Sequence, residues 1–409
     1  MKVGRLAILL LGLALMVARP AASGAAAQPL SVYADSVFGL IRRHERQLPQ
    51  LTDPATATAA ALGRGAAFYL AGDPSWVAEG IGRAGGLIGA RSLEPDAAGG
   101  NSSLSFWKLA VKAGDVVWIA YTGGAIDTRQ ASMVRALRAQ GCVVIGFGPA
   151  AASGSAQFNY WIDSFTTVDA EANLTRMGNI LSLWTLVAEV AAAASREGRT
   201  LAFYQSTSVD GGRARNALYS GVAFHDGIPH IEPVPTGDLA AGYLKYIRTM
   251  LHRIYESERA KIKWIGQEVA KRATTGQPAV LMPIGHMITR AVGERTKLFQ
   301  ILGYPATPAS IDSELHGGGY LVLIGYVGVD LDLWQQVRRE HATAAWIVSS
   351  LPTEVDFAQW GDTVVNQHWP IGDCAIAVPG YDVRILPPSA VAQLFIYELL
   401  LRAAGELAP

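Results

Sequence analysis

Short apolar runs alternate along the chain with stretches that carry apolar residues at helical spacing. In the first half, three runs each end at a glycine turn: Ala66–Leu70, Val116–Tyr121 and Cys142–Phe147. Between the last two, residues 127–139 place apolar side chains every three to four positions, which is typical of an amphipathic helix. Strand, glycine turn, helix and strand in this order predict parallel βαβ units and an α/β fold.

The second half of the chain repeats this order of elements. Its apolar runs are Ala279–Ile284, Tyr320–Tyr326 and Ala344–Val348, with a helical pattern over residues 333–339 between the last two. A long helical pattern precedes the first run of each half, over Val32–Leu62 and Leu239–Arg272. The agreement in order and spacing predicts a duplicated α/β unit.

Two short segments can be aligned across the repeat, and they set its expected register. Ile119–Gly123 aligns with Ile324–Gly328, and Asp127 then aligns with Asp332 without a gap. Prolines cluster between residues 229 and 235, which is typical of a linker. We therefore expect two domains, over residues 28–230 and 231–409. These are the first and the second half of the chain.

The first residues are typical of a secretory signal peptide. Lys2 and Arg5 form a positive start, Leu6–Val17 an apolar core, and Ala25–Ala27 an A-x-A cleavage site. We expect residues 1–27 to be removed and the mature chain to be periplasmic or extracellular in a bacterium. The alternative is a retained N-terminal anchor. No later stretch is expected to span a bilayer, so no stable membrane insertion should follow cleavage.

Composition argues against several classes of function. The formal net charge is zero and no basic stripe is evident, which argues against a nucleic-acid partner. The histidines and cysteines lack zinc-ligand spacing, and P-loop and nucleophile-elbow sequences are absent, so no metal or cofactor is expected. Cys142 and Cys374 could pair in an exported protein, but two separate buried thiols are the favoured interpretation.

The turn after the second strand of the first half has the composition of an anion cradle. Its candidate ligand-binding residues are Thr122, Gly123, Gly124, Asp127 and Thr128. Glycines and hydroxyl residues at a helix start offer backbone N–H groups, side-chain donors and a favourable dipole. Open parallel sheets bind ligands at the carboxyl ends of their strands, which is where this turn is expected to lie.

This turn resembles the phosphate-binding turn of the sugar isomerase (SIS) domain family, which runs roughly I-S-x-S-G-E-T-x-D-T. Thr122, Gly123, Asp127 and Thr128 match, whereas Ala120, Gly124 and Ala125 replace a serine, the glutamate and a threonine. Two further segments fall at family positions: Ser313–Leu315 where S-E-F is common, and Glu171 to Arg176 near the E…T-K segment, with arginine replacing lysine.

The resemblance covers most of the mature chain, in the tandem arrangement of the isomerase half of glucosamine-6-phosphate synthase. It implies an α/β fold of two tandem SIS-like (flavodoxin-like, parallel-sheet) three-layer α/β/α domains. It also implies a small-molecule carbohydrate or sugar phosphate as ligand. A monomer and a homodimer are equally compatible with two fused copies.

Isomerisation by this family moves a proton between neighbouring sugar carbons. That reaction needs a carboxylate base, often a histidine for ring opening, and donors for the developing oxyanion. The candidate catalytic residues are Glu314, His316 and His286. An extended Glu314–His316 segment would put both of its polar side chains on one face. Alternatively, Glu314 caps a helix or pairs with an arginine, His316 is solvated, and His286 is a satisfied, half-buried side chain.

Three further segments hold polar residues or prolines in a suggestive arrangement. Ser206, Thr207, Ser208 and Arg213 could supply anion contacts that the Thr122 turn lacks, or they form an ordinary surface loop. Ser349 and Ser350 end the third apolar run of the second half and are further candidates for ligand binding. The proline-containing segment Ala377–Pro388 is interpreted as structural, wrapping the second half.

Three functions remain open on this basis. The first is an aldose–ketose isomerase or related lyase acting on a sugar or sugar phosphate, with Glu314 as the base. The second is a non-catalytic protein that binds a carbohydrate or an anion in the same crevices, because the phosphate turn is degenerate in both copies. The third is a structural role, with both crevices filled by side chains.

Overall fold

The computed structural model describes residues 30–93, 111–123, 126–155, 157–167, 170–220, 224, 231–277, 279–292, 298–352 and 355–405. The predicted signal peptide and Gly124 lie outside these residues.

Each half of the chain builds a five-stranded, fully parallel sheet. The first comprises β1 (Phe68–Gly72), β2 (Ala90–Ser92), β3 (Val116–Ala120), β4 (Val143–Gly148) and β5 (Tyr160–Asp163). The second comprises β6 (Ala279–Pro283), β7 (Phe299–Ile301), β8 (Tyr320–Ile324), β9 (Thr343–Val348) and β10 (Thr363–Asn366). The strand orders, β2-β1-β3-β4-β5 and β7-β6-β8-β9-β10, are the same flavodoxin-like order. The predicted fold class is therefore confirmed.

Helices cover both faces of the sheets. They are α1 (Leu30–Gln47), α2 (Thr52–Gly63), α3 (Pro74–Gly80), α4 (Thr128–Ala139), α5 (Ala172–Arg196), α6 (Gly212–Leu218), α7 (Asp238–Thr274), α8 (Ile288–Ala291), α9 (Pro308–Leu315), α10 (Leu331–Arg339) and α11 (Ser389–Ala403). The long helix predicted over Val32–Leu62 is thus two helices, joined by a 3-10 turn at Leu48–Leu51. Pro49 is the second residue of that turn, and its ring is incompatible with a continuing α-helix.

Alternate residues of the central strands face two different cores, as three-layer packing requires. In β3, Trp118 and Ala120 face an inner core, while Val117 and Ile119 pack against α4 in an outer one. The inner core is shared by both halves, since it also contains Val322 and Ile324 of β8. The two domains therefore bury one common layer of helices between their sheets.

Helix α5 lies at the centre of that common layer. By length and composition it could span a membrane, contrary to the sequence expectation for residues after the signal. Its apolar window is wholly buried within the protein, where α5 packs against α2, α7 and α11. A largely apolar helix that is buried on every side is typical of such a core position.

Backbone hydrogen bonds correct the register of the repeat. Asp73 N donates to Ala120 O (3.0 Å), and Ile284 N donates to Ile324 O (2.8 Å), at the ends of equivalent strands. Ala120 therefore corresponds to Ile324, one residue away from the sequence alignment. The residue that caps α10 is Asp330, not Asp332, because the turn after β8 is one residue shorter than its counterpart.

Two smaller expectations can also be compared with the structure. Cys142 and Cys374 are both buried and unpaired, which confirms two separate thiols. The segment Ala377–Pro388 contacts the first half as well as the second, since Leu386 N donates to Gly85 O (2.9 Å) and Asp382 pairs with Arg215 (2.6 Å). It helps to fasten the two halves together.

Candidate functional site

A cleft of about 690 Å³ opens between the two halves, at the carboxyl edge of the second sheet. The second half contributes the turns after β6 and β8, with His286 and Tyr326. The first half contributes the segment around Ala78 to Ala84 and the turn at residues 205–208. Ligands of open α/β sheets bind at this edge, so the cleft lies where the topology favours a site.

Most polar groups of the cleft are neutral donors and acceptors. Hydroxyl and amide side chains come from both halves: Gln205, Ser206, Thr207, Ser208, Asn216 and Thr289. Arg290 adds a cation, and Tyr304, which is 56% exposed, adds an accessible ring. Such a mixture can hydrogen-bond a polyhydroxylated ligand and pair with one negative charge.

His286 lies in the turn after β6, and its side chain is exposed at the cleft. Its Nδ1 lies 3.3 Å from Ala78 O, which can only accept a hydrogen bond, so Nδ1 carries the proton. Desolvation by the surrounding protein, followed by the nearby Arg83 charge, lowers the pKa of His286 to about 4. The ring is therefore neutral at pH 7, with Nε2 left to accept a ligand hydroxyl.

The turn at residues 205–208 is held by hydrogen bonds to the Asn216 side chain and by a hydrogen bond within the turn. Asn216 Oδ1 accepts from Gln205 N (2.8 Å), and Asn216 Nδ2 donates to Gln205 O (2.8 Å). Ser208 N donates to Ser206 Oγ (3.2 Å). Thr207 and Ser208 are exposed in the cleft, whereas Arg213 is exposed on α6 and does not line it.

The carboxylate that lines the described part of the cleft is already engaged in the fold. Asp330 caps α10 by accepting from Asp332 N (2.9 Å) and Leu333 N (3.3 Å). Ser349 and Ser350 do not line the cleft. Ser349 Oγ and Ser350 N both donate to Val327 O, at 2.9 and 2.8 Å, and so hold the turn after β8.

Behind the cleft lies a buried charged group that the sequence did not predict. This Arg83 cluster comprises Glu79, Arg83, Tyr326, Asp373 and Ser389. The guanidinium, whose side chain is 1% exposed, lies 2.8 Å from Glu79 Oε1 and 2.5 Å from Asp373 Oδ2. It also donates to the hydroxyl of Tyr326 (3.0 Å), which in turn donates to Asp373 (2.7 Å).

Burial governs the protonation of the Arg83 cluster. Desolvation raises the pKa of Glu79 to about 7, although the attraction of Arg83 acts in the opposite direction. Burial also raises the pKa of Asp373, against the same opposing charge. Because Tyr326 belongs to both the cluster and the cleft, it connects the cleft surface with the charges between the halves.

The predicted anion cradle of the first half lies away from the cleft. Thr122 Oγ1 donates to the Asp73 carboxylate (3.2 Å), and Gly123 is exposed. Asp127 caps α4 in a capping box with Gln130, accepting from Gln130 N at 2.7 Å. Thr128 is exposed at the first position of α4.

Glu314 and His316 lie at the opposite edge of the second sheet from His286. They end α9 and precede β8, so they lie at the amino ends of the strands. The His316 side chain is 87% exposed, with Nδ1 3.6 Å from Glu340. The structure thus brings His286 together with Ser206, Thr207 and Ser208, but it does not bring Glu314 or His316 to them.

The described residues contain no group of three or more metal-ligating side chains that could hold an ion. No family model matches the chain, and no curated protein is significantly similar to it.

Several solved structures are similar to the chain over most of its length. One is provisionally named a sugar-binding protein from Salmonella typhimurium LT2, with 11% identity, 92% of this chain and 99% of that chain covered, and a TM-score of 0.48. Another is provisionally named a phosphosugar isomerase from Silicibacter pomeroyi DSS-3, with 12% identity, 91% and 95% covered, and a TM-score of 0.46.

A third similar structure is the C-terminal domain of a glucosamine-fructose-6-phosphate aminotransferase from Francisella tularensis. Its identity is 9%, with 90% of this chain and 94% of that chain covered, and the TM-score is 0.44. The fold assigned to this chain rests on the strand order of its own two sheets.

Proposed function

We propose that this protein binds a small carbohydrate or sugar acid, without transforming it, in the cleft between its halves. The observation that carries the proposal is the cleft itself. Its volume of about 690 Å³ falls within the ~300–1,000 Å³ of small-molecule sites. It also lies at the ligand edge of a parallel sheet, with hydroxyl groups on both walls and amide side chains on the wall formed by the first half.

The chemistry of the cleft walls favours a polyhydroxylated ligand. Ser208, Thr289 and neutral His286 can exchange hydrogen bonds with sugar hydroxyls, and the exposed Tyr304 ring can cover an apolar sugar face. Arg290 can pair with a carboxylate or a phosphate. Export of the mature chain remains part of the proposal, and it would favour unphosphorylated sugars over phosphorylated metabolites of the cytoplasm.

The positions of the acids argue for binding rather than isomerisation. A proton shuttle needs a carboxylate or histidine whose pKa suits the working pH. Asp330 Oδ1 caps α10, and desolvation together with the Arg83 charge makes His286 a weaker base than a free imidazole. Glu314, the base in the isomerase hypothesis, lies at the other edge of the sheet. The isomerase hypothesis would therefore have to use Asp330 Oδ2 or a base from outside the described cleft.

The test is a thermal-shift screen of the mature chain with neutral sugars, sugar acids and sugar phosphates at fixed ionic strength. A ligand that binds only the folded state raises Tm by mass action, by an amount equivalent to ~2.7 kcal/mol at one hundred times its Kd. NMR spectra of each hit after long incubation would reveal any product. Product formation would refute the hypothesis that the ligand is bound without being transformed. The absence of any hit would refute the proposal as a whole.

A blocking variant assigns the hit to the cleft. Ser208 is exposed on the cleft wall, so Ser208→Trp should fill the space without disturbing the core and should abolish the shift. Ser132→Trp is the control, because Ser132 is exposed on α4 and does not line the cleft. This variant should keep the Tm shift. Equal shifts in both variants would place the ligand elsewhere.

A further inference from the structure

The Arg83 cluster behind the cleft holds two carboxylates and one cation. Arg83 Nε donates to Glu79 Oε1 (2.8 Å), and Arg83 Nη2 lies 2.5 Å from Asp373 Oδ2. Both acidic side chains are fully buried, and that of Arg83 is 1% exposed. If both acids were ionised, one positive and two negative charges would leave a net charge of −1 away from water. An uncompensated buried charge is costly, so the cluster favours the uptake of one proton.

Hydrogen bonds decide which of the two acids takes that proton. Besides the guanidinium, Asp373 accepts from the Tyr326 hydroxyl (2.7 Å), from Ser389 N (3.1 Å) and from Ser389 Oγ (2.9 Å). Donors to a carboxylate stabilise its ionised form. Glu79 Oε2, by contrast, is buried and makes no hydrogen bond to the described residues. Glu79 is therefore the acid that the geometry favours as neutral.

The groups that face Glu79 from neighbouring elements agree with this assignment. Desolvation is the largest effect and raises the pKa of Glu79 to about 7. In decreasing order, the Arg83 charge lowers that pKa, the Asp373 charge raises it, and the Trp184 indole on α5 lowers it. Tyr243 on α7 also faces the cluster. Burial raises the pKa of Tyr243, so it stays a neutral phenol and supplies no charge.

The charge of the cluster acts on the cleft, because the two share a wall. Ala78, the neighbour of Glu79 on α3, lines the cleft, and so does Tyr326, whose hydroxyl belongs to the cluster. Burial raises the pKa of Tyr326 and lowers that of His286 to about 4, so both rings are neutral between pH 6 and pH 8.5. A negative ligand in the cleft is repelled by a cluster of charge −1 but not by a neutral one.

We propose that the cleft binds a sugar acid together with a proton, and that Glu79 takes that proton. This inference rests on the proposed function and commits it to a ligand that carries a carboxylate. Arg290 on the cleft wall pairs with the carboxylate, while protonation of Glu79 removes the opposing charge behind it. The affinity for a sugar acid therefore rises as pH falls from 8.5 to 6, whereas the affinity for the parent neutral sugar stays nearly constant.

The experiment is titration calorimetry of the mature chain with glucuronate, galacturonate and gluconate, and with glucose and galactose as neutral controls. Measurements at pH 7.5 in buffers of different ionisation enthalpy give the number of protons taken up on binding. We expect a sugar acid to bind with uptake of a fraction of a proton. Its Kd should be at least about threefold lower at pH 6 than at pH 8.5. The neutral sugars should show neither effect.

Two matched variants assign the proton. Glu79→Gln keeps the shape of the carboxyl group and is neutral at every pH. It should bind the sugar acid with wild-type affinity at pH 6, without proton uptake and without the change in Kd with pH. Glu189→Gln is the control, because Glu189 is another buried acid whose pKa is raised by desolvation, it pairs with Arg196 (3.2 Å), and it does not line the cleft. This control should keep both effects.

The outcomes separate this inference from the proposed function. Binding of a sugar acid without proton uptake, or uptake that survives in Glu79→Gln, would overturn the inference and leave carbohydrate binding intact. Binding of neutral sugars alone would do the same. If no compound of the thermal-shift screen binds, both fail.

If Glu79→Gln does not accumulate as folded protein, infrared spectroscopy of the wild type at pH 7.5 takes its place. The absorption of protonated carboxyl groups should grow when the sugar acid binds and should not grow with the neutral sugar. An unchanged absorption would overturn the inference.

Discussion

Arg83 is a buried cation that joins the two halves of the protein. It lies between the carboxylates of Glu79 and Asp373, at 2.8 and 2.5 Å, and all three side chains are almost fully buried. Arg83→Met keeps an unbranched chain but removes the charge, which leaves two buried carboxylates facing each other. Removing one member of a buried pair typically lowers the free energy of unfolding by ~3–5 kcal/mol. We expect a loss of that size at pH 8.

The loss should shrink as pH falls, and its sign follows from proton linkage. The pKa of Glu79 is already raised by burial to about 7, and removal of Arg83 raises the pKa of both carboxylates further. Groups with a raised folded pKa lose stability as pH rises above their unfolded pKa. The difference between wild type and variant should therefore be smaller at pH 5, where Glu79 is protonated in both proteins.

The assay is urea unfolding followed by tryptophan fluorescence at pH 5 and pH 8. Arg248→Met is the matched control, because Arg248 also joins the halves, through Glu45 at 2.5 Å, but its side chain is 37% exposed. Partly exposed pairs contribute ~1 kcal/mol or less. An Arg83→Met loss no larger than that of the control, or equal losses at the two pH values, would refute this account of the cluster.

Three further outcomes follow from the same structure. In Arg83→Met, the NMR titration of His286 should move its pKa upward from about 4, because one of the two causes of the lowering is gone; an unchanged titration would exclude the Arg83 charge as a cause. Arg290→Gln should weaken a sugar acid about tenfold or more while sparing a neutral sugar, since hydrogen bonds to charged groups contribute ~1.5–3 kcal/mol; equal weakening of both would contradict a charge pairing. Glu314→Gln should leave ligand-induced Tm shifts intact, and a lost shift would place Glu314 in the ligand site.

The sequence predicts the scaffold of this protein well, for a physical reason. Strands such as β3 and β8 are buried on both faces, so their apolar runs stand out from the helices around them. The register of the repeat could not be predicted as securely. Ile119 and Ile324 align in the sequence, but the backbone hydrogen bonds place Ile324 at the position of Ala120. The sequence alignment misses this offset because the turn after β8 is one residue shorter than the turn after β3.

The site was predicted less completely, because its parts come from distant segments. His286 and the 206–208 turn were recognisable from their residue types, but nothing in either segment indicates that they share one cleft. Glu314 had a usable signal, since a residue that precedes a parallel strand lies at the amino edge of the sheet. Almost nothing in the sequence indicates the buried ion pair of Arg83, because its carboxylate partner Asp373 lies 290 residues further along the chain.

The corrected register shows how one position of the repeat differs between the two halves. Asp73 and Ile284 occupy the same backbone position, since each donates its N–H to the last carbonyl of the neighbouring central strand. In the first half that position carries a carboxylate, which accepts hydrogen bonds from Thr122 and Arg176. In the second half it carries an apolar side chain that lines the open cleft, followed by Gly285 and His286. Equivalent positions of the two halves therefore carry a hydrogen-bonded carboxylate in one and an apolar side chain that lines the cleft in the other.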